Sequence, residues 1–403
     1  TVELAIELSG PSGKDIPISF TNTGGTATLD DDFQIGINSI VIPAGTVTDS
    51  LRVTIIDDGL EEVPDETVDF TLSDPSPNAT LGTNATVTYT ILDNDGAGFR
   101  GPGGVGNLSA QTALWLRADD DNSGFSNGAN VASWIDQTDN SNNGFQVDNN
   151  SQPVFLTNQM NNRPALSFDG SNDLIALNDT EDINIGGPYD KKTIYVAFRT
   201  STDVTSRQML YEEGGGIRGL SIYILGGTLY IGGYNQIDDD GGATTPWPAS
   251  TPPFTINIQR AVSPNTNYFV VLQYDFEVDG AGFNGEVRGG LNGEALTALA
   301  GGGRLFNHPD DIGIGATNGG TVYHDISSSN TRSPVTGVIS EVIVTNIVYN
   351  EAQRRIVYNY LGTKYDIDIS TEDIYDQQGD HSYDIVGIGR TDAANTHNDA
   401  QGT

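Results

Sequence analysis

TIIDDGLEEVPDETVDFTLSD (Thr54–Asp74) and TVTYTILDND (Thr86–Asp95) carry the reading of the fold. Val53, Ile55, Val68 and Phe70 alternate with polar residues, and Val87, Tyr89 and Ile91 repeat the pattern, which is the period-two signature of strands with one buried face. Carboxylates follow directly: Asp57-Asp58, Glu61-Glu62, Asp65-Glu66 and Asp93-Asn94-Asp95. They fall at strand ends rather than on strand faces. So many negative charges gathered at loop ends repel one another unless a cation neutralises them. Hard oxygen ligands in loops suit Ca2+, which takes roughly six to eight oxygens. The expected cofactor is therefore calcium, held at one end of a β-sandwich.

Outward from this stretch, residues 1–96 read as one all-β module. VELAIEL, DIPISF, FQIGINSIVI, SLRVTII, TVDFTL and ATVTYTIL are its strands. Turn clusters such as Ser9-Gly10-Pro11-Ser12-Gly13 and Asn22-Thr23-Gly24-Gly25 punctuate them. Short strands at this spacing predict an immunoglobulin-like sandwich. Residues 97–106, rich in glycine, predict a linker. Residues 107–369 then predict a larger β-domain. Its strand candidates include ALWLRAD, TIYVAFRT, LSIYIL, YFVVLQYDF and GVISEVIVTNIVY, separated by loops such as SNNGFQVDNNSQ and QIDDDGGATTPWPASTPP. That strand content predicts a double-sheet jelly roll. One C-terminal helix is expected over Asn350–Tyr365, capped by Asn350 and with an apolar face of Ile356, Tyr360 and Leu361. Residues 370–403 read as a tail or the start of a further module.

Composition narrows the function. The 403 residues hold 18 Lys+Arg against 54 Asp+Glu, a formal charge of −36. Such a surface lacks the basic footprint that nucleic acid requires and disfavours anionic membranes. Cysteine is absent, which removes disulfides, thiolate metal sites and thiol catalysis. No apolar run approaches the roughly 18 residues of a membrane span. TVELAIEL begins in strand pattern without a leader, so the chain is expected to be part of a longer, exported multi-domain protein of bacterial type.

The first module resembles a Calx-beta domain. The matching blocks are Gly25-Thr26-Ala27 with Asp32-Phe33, Ile56-Asp57-Asp58, Glu62 with Glu66, and Ile91-Leu92-Asp93-Asn94-Asp95. The resemblance implies calcium ligands at Asp32, Asp57, Asp58, Glu62, Asp93 and Asp95. The second module resembles a laminin-G-like, concanavalin-type jelly roll. The landmarks are Leu114-Trp115-Leu116-Arg117-Ala118-Asp119, Val131-Ala132-Ser133-Trp134-Ile135-Asp136, Phe168-Asp169-Gly170, Gly337-Val338-Ile339-Ser340-Glu341-Val342 and Tyr360-Leu361-Gly362-Thr363-Lys364-Tyr365. This resemblance implies binding of a glycan or a cell-surface protein, or a purely architectural role.

Glu277-Val278-Asp279 starts the spacing of a retaining glycosidase, but Gly282 stands where the second glutamate is needed. His308, His324, His381 and His397 show no zinc spacing, and no nucleophile elbow or P-loop occurs. The chain is therefore expected not to be an enzyme. Asp119-Asp120-Asp121-Asn122 is a candidate second calcium site. Trp247, in a proline-flanked loop, and Tyr234, with Tyr230 and Tyr323, are the candidate ligand platform, because aromatic rings offer sugars a flat apolar surface. Trp115 and Trp134 alternate with apolar partners and read as core. The expected whole is an extracellular, cell-surface adhesin fragment: a calcium-stabilised spacer followed by a recognition domain that also contacts neighbouring domains of its own chain.

Overall fold

A computed structural model describes residues 2–30, 32–56, 66–73, 75, 78–91, 101–108, 110–120, 124–235, 254–276, 285–302, 305–308, 310–329, 331–369, 389–391 and 395–397. The chain divides into two compact units, Thr1–Gly98 and Phe99–Thr403, and is all-β apart from one α-helix and two short 3-10 turns among the described residues.

The first unit is a seven-stranded sandwich. Its strands are β1 (Val2–Glu7), β2 (Ile16–Gly25), β3 (Phe33–Ile35), β4 (Ser39–Ile42), β5 (Thr48–Ile55), β6 (Glu66–Ser73) and β7 (Thr86–Ile91). One sheet has the order β1-β5-β3 and the other β4-β2-β6-β7, every pairing being antiparallel. Alternate residues point inward, so Ile16, Ile18, Phe20, Phe33, Ile42, Leu51, Val53, Val68 and Phe70 form one core.

Two local expectations are corrected. FQIGINSIVI is not one strand: Phe33–Ile35 pairs with β5 while Ser39–Ile42 pairs with β2, so the chain changes sheets between them. Gly24-Gly25 is not a turn but lies within β2, at a register shift against β6. Gly25 has φ 109°, and a Cβ there would stand 2.1 Å from the Thr67 carbonyl oxygen. Only glycine fits such a bulge.

The second unit is a jelly-roll-type sandwich of two eight-stranded antiparallel sheets. The first is centred on Lys191–Thr200, flanked by Thr336–Thr345 and Asn267–Asp275. The second runs from Phe254–Ala261 through Thr228–Asn235, Arg218–Leu225, Gln208–Gly214, Ile312–Ile314 and Ile175–Leu177 to Gly144–Phe145 and Ser133–Trp134. Strands of the first sheet are apolar on both faces. Ile194, Val196 and Phe198 enter the core between the sheets, while Tyr195 and Ala197 face the helix α1 (Glu351–Tyr365). Such doubly buried strands lose the simple apolar-polar alternation. Helix α1 starts where expected: the Asn350 side chain accepts from the Gln353 N–H, and the Gln353 side chain caps the Asn350 N–H in return. Trp115 and Trp134 are buried, as expected.

The expected linker is corrected in part. Residues 101–106 are buried, with a 3-10 turn at Pro102–Gly104, and Val105 packs in the cluster beneath α1. The glycines allow this close approach: a Cβ on Gly101 would lie 2.1 Å from the Val105 carbonyl oxygen. Part of the residues beyond 369 packs on the same segment. Gly389–Arg390 pairs with Thr396–His397, and His397 Nε2 lies 2.9 Å from the Gly104 carbonyl oxygen in a buried contact, so these residues belong to the second unit.

Two buried ionic networks tie that unit together. Lys364 Nζ lies 3.0 Å from both Asp119 Oδ1 and Glu341 Oε2 and donates to the Tyr360 hydroxyl at 2.8 Å. Glu341 also accepts from Trp115 Nε1, Tyr360 and Tyr365. On the inner side of the second sheet, Glu213 accepts from Lys192 Nζ and from the Tyr211 hydroxyl, each at 2.7 Å. Its carboxyl is held down to about 2: burial opposes ionisation, and Lys192 with His308 overcomes it.

Candidate functional site

In the first unit the backbone gathers the strand ends that flank the predicted calcium ligands. Ile56 N–H donates to the Asp32 carbonyl oxygen, which brings the end of β5 to the residue preceding β3. Thr26 and Ala27 N–H donate to the Thr67 carbonyl oxygen at the start of β6, and Glu66 pairs with Ile91 at the end of β7. Asp32, Ile56, Glu66 and Ile91 therefore mark one end of the sandwich. The Asp32 carboxylate accepts from Thr28 N–H at 2.5 Å and shapes its own loop. Asp57, Asp58, Glu62, Asp93 and Asp95 lie outside the described residues. Among the described residues no three acidic or histidine side chains group so as to hold a metal ion. In the second unit Asp119, one of the four residues of the other calcium candidate, is instead paired with Lys364 and lies 3.6 Å from Arg163, while Asp121 and Asn122 lie outside the described residues. Glu277, Asp279 and Trp247 also lie outside the described residues.

Tyr234 is placed differently from the expected rim platform. It is 1% exposed, and its hydroxyl donates to the Gly215 carbonyl oxygen at 2.6 Å. It is a core residue, as is Tyr323. Sequence alone could not distinguish these faces, because an outer strand face covered by residues 321–324 is as buried as an inner one. Tyr230 remains half-buried; its ring stacks on His324 at 4.0 Å and on Tyr223 at 5.0 Å.

A polar groove opens elsewhere on the second unit. Strand Gly144–Phe145 runs antiparallel to Ile175–Leu177 with Phe145 opposite Ala176. Continuing that register places Asn143, just before one strand, against Asn178, just after the other. The resulting groove has a volume of about 440 Å³ and is lined by Ser141, Asn142, Asn143, Phe145, Leu177, Asn178, Asp179 and Thr180.

Both walls are fixed from behind. Asp136 accepts from Asn142 N–H at 2.8 Å and from Thr138, and its own N–H donates to Asn143 Oδ1 at 2.8 Å. Asn142 Nδ2 donates to the Ala113 carbonyl oxygen at 2.8 Å. On the other wall Asn184 accepts from Thr180 N–H at 2.9 Å and donates to Asp179 Oδ1 at 2.5 Å. Asn178 makes no hydrogen bond with the described residues, and Asp179 Oδ2 accepts none from them. Phe145, half-buried, is the aromatic residue of the lining. Exposed hydrogen-bonding groups on rigid walls, beside an apolar ring, can hold a small polar ligand. The groove arises from strand pairing across about thirty residues, so its only sequence signal was the Asn-rich composition of SNNGFQVDNNSQ.

No family model matches the chain. Among solved structures it is similar to the receptor binding domain of botulinum neurotoxin D, at 13% identity and TM-score 0.40, over 63% of this chain and 53% of that one. It is also similar to the serotype G binding domain, at 12% identity and TM-score 0.38, over 61% and 50%. A third is the binding domain of neurotoxin DC in complex with SialylT, at 12% identity and TM-score 0.40, over 62% and 51%. The chain thus spans about half the length of each solved structure. Among the described residues no helix is long and apolar enough to cross a membrane.

Proposed function

We propose that this chain is a non-catalytic recognition module that binds a glycan in the groove between Asn143 and Asn178. The observation that supports this reading is the unspent hydrogen-bonding capacity of Asn178 and Asp179 on walls already fixed by Asp136 and Asn184. A rigid site loses little entropy when it orders a ligand. In this reading the first unit is a Calx-beta-type spacer whose acidic end binds Ca2+ through Asp32, Asp57, Asp58, Glu62, Asp93 and Asp95, and the second is a laminin-G-like module that it carries. The parent protein would be an exported bacterial surface adhesin, soluble and extended through its strong negative charge.

The test is binding of the full chain to a broad glycan array, followed by titration of the best ligand. Asn178→Ala and Asp179→Ala are each expected to weaken binding about tenfold, since each removes one or two hydrogen bonds. Retained affinity in both variants would move the site elsewhere. An array without any bound glycan would remove the glycan reading.

A further inference from the structure

We propose that the groove selects neutral, hydroxyl-rich glycans and rejects those bearing sialic acid, uronate or sulfate; this rests on the reading of the groove as a glycan site. Three features of the electrostatics lead there. Asp179 is the charged residue among those lining the groove, and neither lysine nor arginine lines it. Recognition of an anionic sugar ordinarily uses an arginine or lysine, which supplies charge-assisted and often bidentate hydrogen bonds.

Secondly, the charge of Asp179 is reinforced by neighbouring carboxylates. The Asp310 carboxyl is raised above its ordinary value by burial, then by the neighbouring charges of Asp179 and Asp311. These carboxylates thus stand close enough to one another to be felt. Asp182 adds a further carboxylate, bonded to Asn142 Nδ2 at 3.3 Å. Among the described residues that line the groove, an incoming anion would meet no counter-charge. A carboxylate or sulfate within several ångströms of Asp179 is repelled most strongly at low ionic strength.

Thirdly, one cation of the adjoining strand is committed elsewhere. Lys192, which follows the 178–190 segment, is fully buried on Glu213 and the Ile183 carbonyl oxygen, so it cannot turn toward the groove. What remains suits sugar hydroxyls. Asp179 Oδ2 accepts from a hydroxyl, the Asn178 carboxamide both donates and accepts, and Phe145 offers an apolar surface to the C–H face of a ring.

The experiment titrates the full chain against pairs of glycans that share one core and differ only in a terminal sialic acid or sulfate. The neutral member is expected to bind at least about tenfold tighter, with the gap narrowing as salt is raised. Asp310→Asn, a substitution outside the groove lining, is expected to leave neutral binding in place and narrow the gap. Equal or tighter binding of the acidic members would overturn the selectivity while leaving the groove a glycan site. A gap unmoved by salt and by Asp310→Asn would overturn its electrostatic cause. Failure of every neutral and acidic glycan to bind would instead remove the glycan reading itself.

Discussion

Replacing Lys364 by methionine tests whether the buried ionic network holds α1 to the first sheet. The ammonium has three protons, and three acceptors surround it: Asp119 Oδ1 and Glu341 Oε2 at 3.0 Å each, and the Tyr360 hydroxyl at 2.8 Å. Methionine fills the stem volume but removes the charge, leaving two enclosed carboxylates facing each other. Breaking a buried pair in this way typically costs about 3–5 kcal/mol. Here Glu341 keeps three donors, Trp115 Nε1 and the hydroxyls of Tyr360 and Tyr365, and Asp119 keeps Arg163 at 3.6 Å. The lower end, about 3 kcal/mol, is therefore expected.

With a urea dependence of about 3 kcal/mol per molar, the midpoint of the second unit should fall by about 1 M. Trp115 donates directly to Glu341, so its fluorescence reports the transition at the site. Adding Glu341→Gln to Lys364→Met removes one of the stranded charges and should recover part of the loss. A fall below about 1 kcal/mol, or no recovery in the double variant, would refute the claim that an uncompensated charge is the cause.

Asp173 supplies a pH test. Burial is the main influence raising its carboxyl from 3.8 to about 6. The folded state therefore holds a proton that the unfolded chain releases, so stability falls as pH rises from about 4 through about 6. Thermal unfolding of Asp173→Asn against the parent should show the variant gaining relative stability from pH 4 to pH 7; a difference independent of pH would refute this. In the first unit, thermal unfolding of the full chain with calcium and then with chelator should show a higher first transition with the ion. Asp57→Ala and Asp93→Ala should each abolish the rise, and a chelator-insensitive parent would sink the calcium proposal.

Strand positions were legible wherever one face is buried and the other wet. In the first unit Ile16, Ile18 and Phe20, or Val68 and Phe70, announce their faces by alternation. The cap at Asn350 was equally plain, because capping depends on a few neighbouring residues. The glycines misled. Gly24-Gly25 and residues 101–106 have the composition of turns and linkers, yet serve a strand bulge and a packed segment. Glycine permits a conformation or a close contact without revealing which surface it will meet.

The functional surface was the least legible part. Tyr234 and Tyr230 lie on the same strand face, four residues apart, yet Tyr234 is enclosed while Tyr230 stays half-buried. Sequence by itself determined the all-β class, the acidic surface, the position of the helix and much of the core, because these follow from local periodicity and summed charge. Tertiary structure alone decided which aromatics are enclosed, that Lys364 meets Asp119 and Glu341, and that Asn143 comes to face Asn178. Those outcomes depend on strand register and on which segments cover which faces. Both join residues far apart in the chain, where no repeating pattern connects them.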